Sequence, residues 1–267
     1  MHSLAALLTA ILLPGFSPAA PDAGGGQLLA GTFPGTERPG YVYLPPGFDR
    51  TLRYPVAYLL HGLPGDPSEY VYAIRLARFA DAGIAAGTLR PFIAVIPAAG
   101  PRPQYDGEWA GPLETALVDR VVPWIDAHLP TIAAPSGRLL GGLSAGGFGA
   151  VDIALHHPDV FGTAESWSGY FRPLRDGPFR DATAATLAAN DPTLLARGDA
   201  AVLRRDGLRF FLSTGPEHSH WFTPGETLAF ARELRGLRLP VELRTYAVAK
   251  GDWRAQVDAG LAWALAA

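Results

Sequence analysis

The stretch Arg138-Leu139-Leu140-Gly141-Gly142-Leu143-Ser144-Ala145-Gly146-Gly147-Phe148-Gly149 decides the fold. Residues 138–142 read as a short strand running into a tight glycine turn, and residues 148–157 continue as a helix. Inside it lies the pentapeptide Gly142-Leu143-Ser144-Ala145-Gly146, a G-x-S-x-G pattern. In such a turn the serine takes a strained backbone so that its hydroxyl projects above the sheet, and the flanking glycines are needed because side chains would clash. The pattern alone is weak in a chain with 31 glycines; the strand before it and the helix after it give it weight.

Working outward, strand-like and helix-like stretches alternate, which marks an α/β domain with a mainly parallel sheet. Residues 40–44 and 56–60 read as strands separated by the turn Pro45-Pro46-Gly47, and 92–96 is a continuous apolar strand of the doubly covered kind. Leu113, Leu117, Val121 and Trp124 recur at helical spacing. Late strands are expected at 208–214 and 241–248, with helices at 225–237 and 255–266.

The 267 residues are 48% hydrophobic and 18% charged, enough to bury a large core and incompatible with a disordered chain. A net charge of −3, with the charges scattered, leaves no basic footprint for nucleic acid and no polybasic membrane patch. The partner is therefore a small molecule or a protein. The absence of cysteine removes disulfides, thiolate zinc sites and a cysteine nucleophile together. The apolar run 4–13, followed by small residues at Ser17, Ala19 and Ala20, has the length of a signal-peptide core and is too short to span a bilayer. The expected organisation is a signal peptide at 1–20, a glycine-rich tether at 21–26 and one domain over 27–267, in a secreted or cell-envelope protein with no membrane span in the mature chain.

Leu59-Leu60-His61-Gly62-Leu63-Pro64-Gly65 ends a buried strand, where a loop can aim a backbone N–H at the oxyanion of a tetrahedral intermediate. Leu63 and Ala145 are the candidate donors; His61 reads as a loop histidine that positions the turn. Four segments carry a further resemblance: Tyr41-Val42-Tyr43-Leu44-Pro45-Pro46-Gly47-Phe48, Tyr54-Pro55-Val56-Ala57-Tyr58-Leu59-Leu60-His61-Gly62, residues 142–149, and His156-His157-Pro158-Asp159-Val160-Phe161. With them the chain after residue 26 resembles the esterase D, or "putative esterase", group of α/β-hydrolases, which includes S-formylglutathione hydrolases, feruloyl esterases and the antigen 85 mycolyltransferases. The resemblance implies a three-layer α/β-hydrolase sandwich with helices on both faces of the sheet. It also implies an acyl ester or thioester substrate, Ser144 as nucleophile, and hydrolysis or acyl transfer without a cofactor. It gives His156 and His157 a structural part.

The other triad members depart from the family pattern. A serine needs a base within hydrogen-bond reach and usually a carboxylate to orient it. Where the family reads G-x-x-D, this chain reads Gly215-Pro216-Glu217-His218, so Glu217 stands one residue early. Where the family reads G-G-H-D-W, it reads Ala249-Lys250-Gly251-Asp252-Trp253, with Gly251 in the histidine's place and no histidine after His220. Several readings stay open. The fold has lost catalysis and keeps its cleft for a ligand or protein; or His218 or His220 is the base, oriented by Glu217 or Asp252; or Lys250 is the base; or another chain supplies one. The pair His218 and His220 lacks a third ligand, so no metal site is expected. Trp109, Trp167, Trp221 and Trp253 flank the candidate loops, where aromatics usually pack the core; Trp221 is the one expected to shape the cleft.

Overall fold

The structure, a computed structural model, describes residues 13–19, 25–101, 107–216, 224–247 and 253–267. Among these, the strands in chain order are β1 (Phe16–Pro18), β2 (Gln27–Thr32), β3 (Pro39–Leu44), β4 (Val56–Leu60), β5 (Ile93–Ile96), β6 (Arg138–Leu143), β7 (Thr163–Trp167), β8 (Arg209–Thr214) and β9 (Val241–Thr245). They form one sheet in the order β1-β2-β3-β5-β4-β6-β7-β8-β9. The first three strands are antiparallel, β3 meets β5 antiparallel, and every pairing from β5 to β9 is parallel.

The apolar runs of β4 and β5 are buried at every position, because helices cover both faces of the sheet. Alternation divides β4 between two cores. Val56, Tyr58 and Leu60 pack with Leu117, Val121, Val151, Leu203 and Phe230; Ala57 and Leu59 pack on the other face with Tyr70, Leu76, Val257 and Leu261. The first set comes from the π turn Leu117–Val121 between α3 (Pro112–Ala116) and α4 (Val122–His128), and from α5 (Ala145–His156), α7 (Pro192–Asp206) and α8 (Pro224–Gly236), and the second from α1 (Ser68–Tyr72), α2 (Leu76–Ala85) and α9 (Trp253–Ala264). The short α6 (Ala184–Ala189) lies between β7 and α7.

The helix expected from Leu113, Leu117, Val121 and Trp124 is present, with a π turn over Leu117–Val121 joining α3 to α4. The Val122 N–H reaches back to the Leu117 carbonyl immediately before Pro123, which has no N–H to continue the α ladder. The helix expected at 148–157 begins earlier, at Ala145, because the N–H groups of Gly147 and Phe148 already bond to the Ser144 carbonyl. The strand expected at 241–248 ends at Thr245, and position 248 lies outside the described residues.

Within the segment read as a leader, Phe16–Pro18 pairs with Leu29 to Gly31 as the edge strand β1. Leu13 is buried, and the Phe16 ring lies 4.9 Å from Phe33 and 5.6 Å from Trp124. Gly31 makes room for it: a Cβ there would stand 2.6 Å from the Phe16 ring. Residues 1–12 and 20–24, which hold most of the apolar run and the tether, lie outside the described residues. Among the described residues no helix is long and apolar enough to cross a membrane.

Candidate active site

Ser144 sits between the carboxyl end of β6 and the start of α5 with φ 53° and ψ −115°, a backbone that side-chain-bearing residues rarely adopt. The turn is held on both sides. The Ser144 N–H bonds to the Trp167 carbonyl at 3.0 Å, and its own carbonyl accepts from Gly147 at 2.8 Å. The flanking glycines are steric necessities. A Cβ on Gly142 would stand 2.1 Å from the Gly146 carbonyl oxygen, and one on Gly146 would stand 2.2 Å from that of Leu60.

The loop after β4 closes on the same point. A Cβ on Gly62 would lie 3.5 Å from the Ser144 Cβ, so the loop passes against the serine at van der Waals distance. Ser144, Leu63 and Ala145 line one cavity of about 760 Å³. Ala145 is the first residue of α5, where helical N–H groups lack intrahelical partners and favour negative charge. The arrangement thus offers a serine hydroxyl with candidate oxyanion donors on two sides.

His61 is part of the frame. Its ring is buried, Nε2 accepts from the Ala99 N–H at 3.0 Å, and Nδ1 therefore carries the proton it donates to the Gly62 carbonyl at 2.8 Å. Burial lowers its pKa to about 4, so the ring is neutral with both nitrogens engaged. His156 and His157 lie at the far end of α5, where Glu114 pairs with His156 Nδ1 at 3.2 Å and His157 Nε2 at 3.0 Å. The Glu114 carboxylate beside it raises the His156 pKa to about 9.

Glu217, His218 and His220 lie outside the described residues, as do Lys250, Gly251 and Asp252. The chain leaves β8 at Thr214 and β9 at Thr245, at the same sheet edge as Ser144 because those strands run parallel to β6. The returning helix α9 is anchored beneath that edge: Gln256 accepts from Ser168 Oγ at 3.0 Å and Ser213 Oγ at 2.7 Å. Among the described residues no acid or base hydrogen-bonds to the Ser144 hydroxyl, and none of their side chains form a group that could hold a metal ion.

The tryptophans follow the packing expectation. Trp109 and Trp167 are buried, Trp253 at the start of α9 packs partly buried against the core on that side of the sheet, and Trp221 lies outside the described residues. The cavity wall comes instead from the segment after β7, with Tyr170, Arg172, Leu174, Arg175 and Asp176, together with Gly107 and with Leu187 of α6. None of these was identified from the sequence. A usable signal was Ser168-Gly169-Tyr170: a Cβ on Gly169 would lie 2.2 Å from Ser166 Oγ, so the chain after β7 must pass tightly beside the elbow.

Comparison with known proteins agrees with this geometry. The family model described as Putative esterase matches residues 31–264. Esterase Rv1288 of Mycobacterium tuberculosis is 31% identical over 221 residues, covering 73% of this chain and 47% of that protein. The chain thus spans about half the length of that curated relative. Among solved structures, a ferulic acid esterase superposes with a TM-score of 0.77 at 20% identity, over 90% of this chain and 98% of that one. The S-formylglutathione hydrolase FrmB of Staphylococcus aureus superposes with a TM-score of 0.68 at 18% identity, over 89% and 97%. The fold is the α/β-hydrolase fold, and with its elbow serine at the carboxyl edge of the parallel strands the chain belongs to the putative esterase family.

Proposed function

We propose that the protein is a serine esterase acting through Ser144. The Ser144 oxygen attacks the ester carbonyl carbon, and the N–H groups of Ala145 and Leu63 hold the resulting oxyanion. The base takes the Ser144 hydroxyl proton in that attack and returns it to the departing oxygen as collapse breaks the ester C–O bond, which expels the alcohol and leaves an acyl-serine. Water, or a second alcohol in the transferase variant, then takes the acyl group. The observation that carries this reading is the strained Ser144 backbone opening into the one cavity that Leu63 and Ala145 also line. The base comes from the segments after β8 and β9, where His218 or His220, with Glu217 or Asp252 as its orienter, precedes Lys250 in order of chemical fitness. The small esters named for relatives make a small acyl ester the substrate class here, and the apolar run 4–13 directs export.

The competing reading, a cleft that binds without turnover, is favoured by Gly251 standing where the family carries its histidine. Fluorophosphonate labelling followed by intact mass separates the two. The parent protein should take one label and Ser144→Ala none, and whichever of His218→Ala/His220→Ala or Lys250→Ala fails to label identifies the base. A folded parent protein that stays unlabelled overturns the esterase reading in favour of binding.

A further inference from the structure

Glu108 is fully buried behind the wall of the Ser144 cavity. Its carboxyl accepts the Tyr170 hydroxyl at 2.6 Å, and Tyr170 lines the cavity. The Tyr170 ring stacks on Phe148 of α5 with centroids 5.4 Å apart and planes 14° from parallel, so the same wall rests on the helix that begins at the serine.

The next residue secures the loop from its other side. The Trp109 indole N–H donates to the His61 carbonyl at 2.9 Å, and its Cβ fills the space left by Gly149, where a Cβ would be 2.3 Å away. The segment 107–110 is thereby fixed to the serine-bearing frame, and the Glu108 carboxyl is the group through which it holds the segment after β7. Burial, with Asp176 and Asp152 nearby, pushes the Glu108 pKa up to about 8, so at neutral pH a neutral carboxyl sits there and its burial needs no counter-charge.

We propose that Glu108 is a positioning residue that holds Tyr170 in place as the cleft wall, and so sets the bulk of ester that Ser144 receives. The proposal rests on the serine-esterase reading, because a wall is read as a specificity element only if Ser144 reacts. Its test compares p-nitrophenyl acetate with p-nitrophenyl octanoate on the parent, Glu108→Ala, Glu108→Gln and Tyr170→Phe. Glu108→Ala should raise KM for the octanoate about tenfold, as expected for one lost buried hydrogen bond, while kcat on the acetate stays within about twofold. Tyr170→Phe, which keeps the ring and loses the hydroxyl, should move KM in the same direction, and Glu108→Gln should restore the parent values. Equal loss on both esters, or a glutamine variant no better than alanine, overturns the proposal. Crystal structures of Glu108→Ala and Glu108→Gln supply a second arm that needs no turnover: Tyr170 should leave its stack on Phe148 in the first and keep it in the second. A Tyr170 unmoved in Glu108→Ala overturns the positioning role, and this arm decides it even where the parent proves inactive and the esterase reading alone has failed.

Discussion

Replacing Ser144 by glycine should give a more stable protein than replacing it by alanine, although neither variant can perform chemistry. Alanine keeps the Cβ and therefore keeps the strain of φ 53° and ψ −115°; glycine releases it. A residue held in so sparsely populated a region costs about 1–3 kcal/mol, and glycine returns roughly 0.5–1 kcal/mol of that through the greater freedom of its unfolded chain. Taking the middle of both ranges, the net advantage of Ser144→Gly over Ser144→Ala is about 1.25 kcal/mol. In a chain of this size that corresponds to roughly 2–5 °C in Tm. Urea unfolding followed by tryptophan fluorescence, with the slopes of the two variants compared, measures it directly. A glycine variant equal to or weaker than the alanine variant would show that the elbow backbone is unstrained, and the steric account of Gly142 and Gly146 would fail with it.

Gly146→Ala should cost more than about 3 kcal/mol, because the new methyl would sit 2.2 Å and 2.7 Å from two backbone carbonyls that cannot withdraw; a parental urea midpoint refutes this. Gly198→Ala is the opposite case, since the glycine lies inside α7 with nothing within 4 Å of an added Cβ, and should stabilise by about 0.5–1 kcal/mol in the same assay. The raised Glu108 pKa has a fixed sign in stability. The folded state keeps a proton that the unfolded state releases, so the contribution is complete below the unfolded value near 4.5 and is lost as pH rises to about 8. Between those limits the parent should lose up to about 1.4 kcal/mol per pH unit relative to Glu108→Gln, and parallel stability curves would refute it. Phe16→Ala should lower stability by about 1–2 kcal/mol through its contacts with Phe33 and Trp124, and an unchanged denaturation midpoint would show that β1 contributes nothing to the domain.

The elbow could be read from the sequence because its backbone constraints are written in residue types: Gly142 and Gly146 stand where a Cβ would meet carbonyl oxygens 2.1 Å and 2.2 Å away. β4 and β5 were equally legible, since five and four consecutive buried positions leave an uninterrupted apolar run. β7 was not, because Thr163-Ala164-Glu165-Ser166-Trp167 places polar groups at buried positions. Burial pushes the Glu165 pKa well above the usual carboxylate range, and no hydrophobic pattern announces a strand that buries a carboxyl. The cleft wall escaped for a related reason. Tyr170 and Glu108 meet across 62 positions of sequence through a side-chain bond, which leaves no local periodicity to read. The oxyanion candidates Leu63 and Ala145 line the same cavity as Ser144, each within three residues of a strand end.

The topology has a consequence for how such a protein can change. β6 lies between parallel neighbours on both sides, so the connections leaving β4, β5, β6, β7 and β8 all start from one edge of the sheet. Each delivers a different component there: the candidate oxyanion loop, the segment with Glu108, the elbow serine, the cavity wall and the segment carrying the candidate base. The opposite edge and the antiparallel strands supply no part of this set. The components share one edge like tools on a holder, but the wall after β7 is bonded to the connection after β5 through Tyr170 and Glu108, so a graft of one must keep its partner in the other while the frame that strains Ser144 stays untouched.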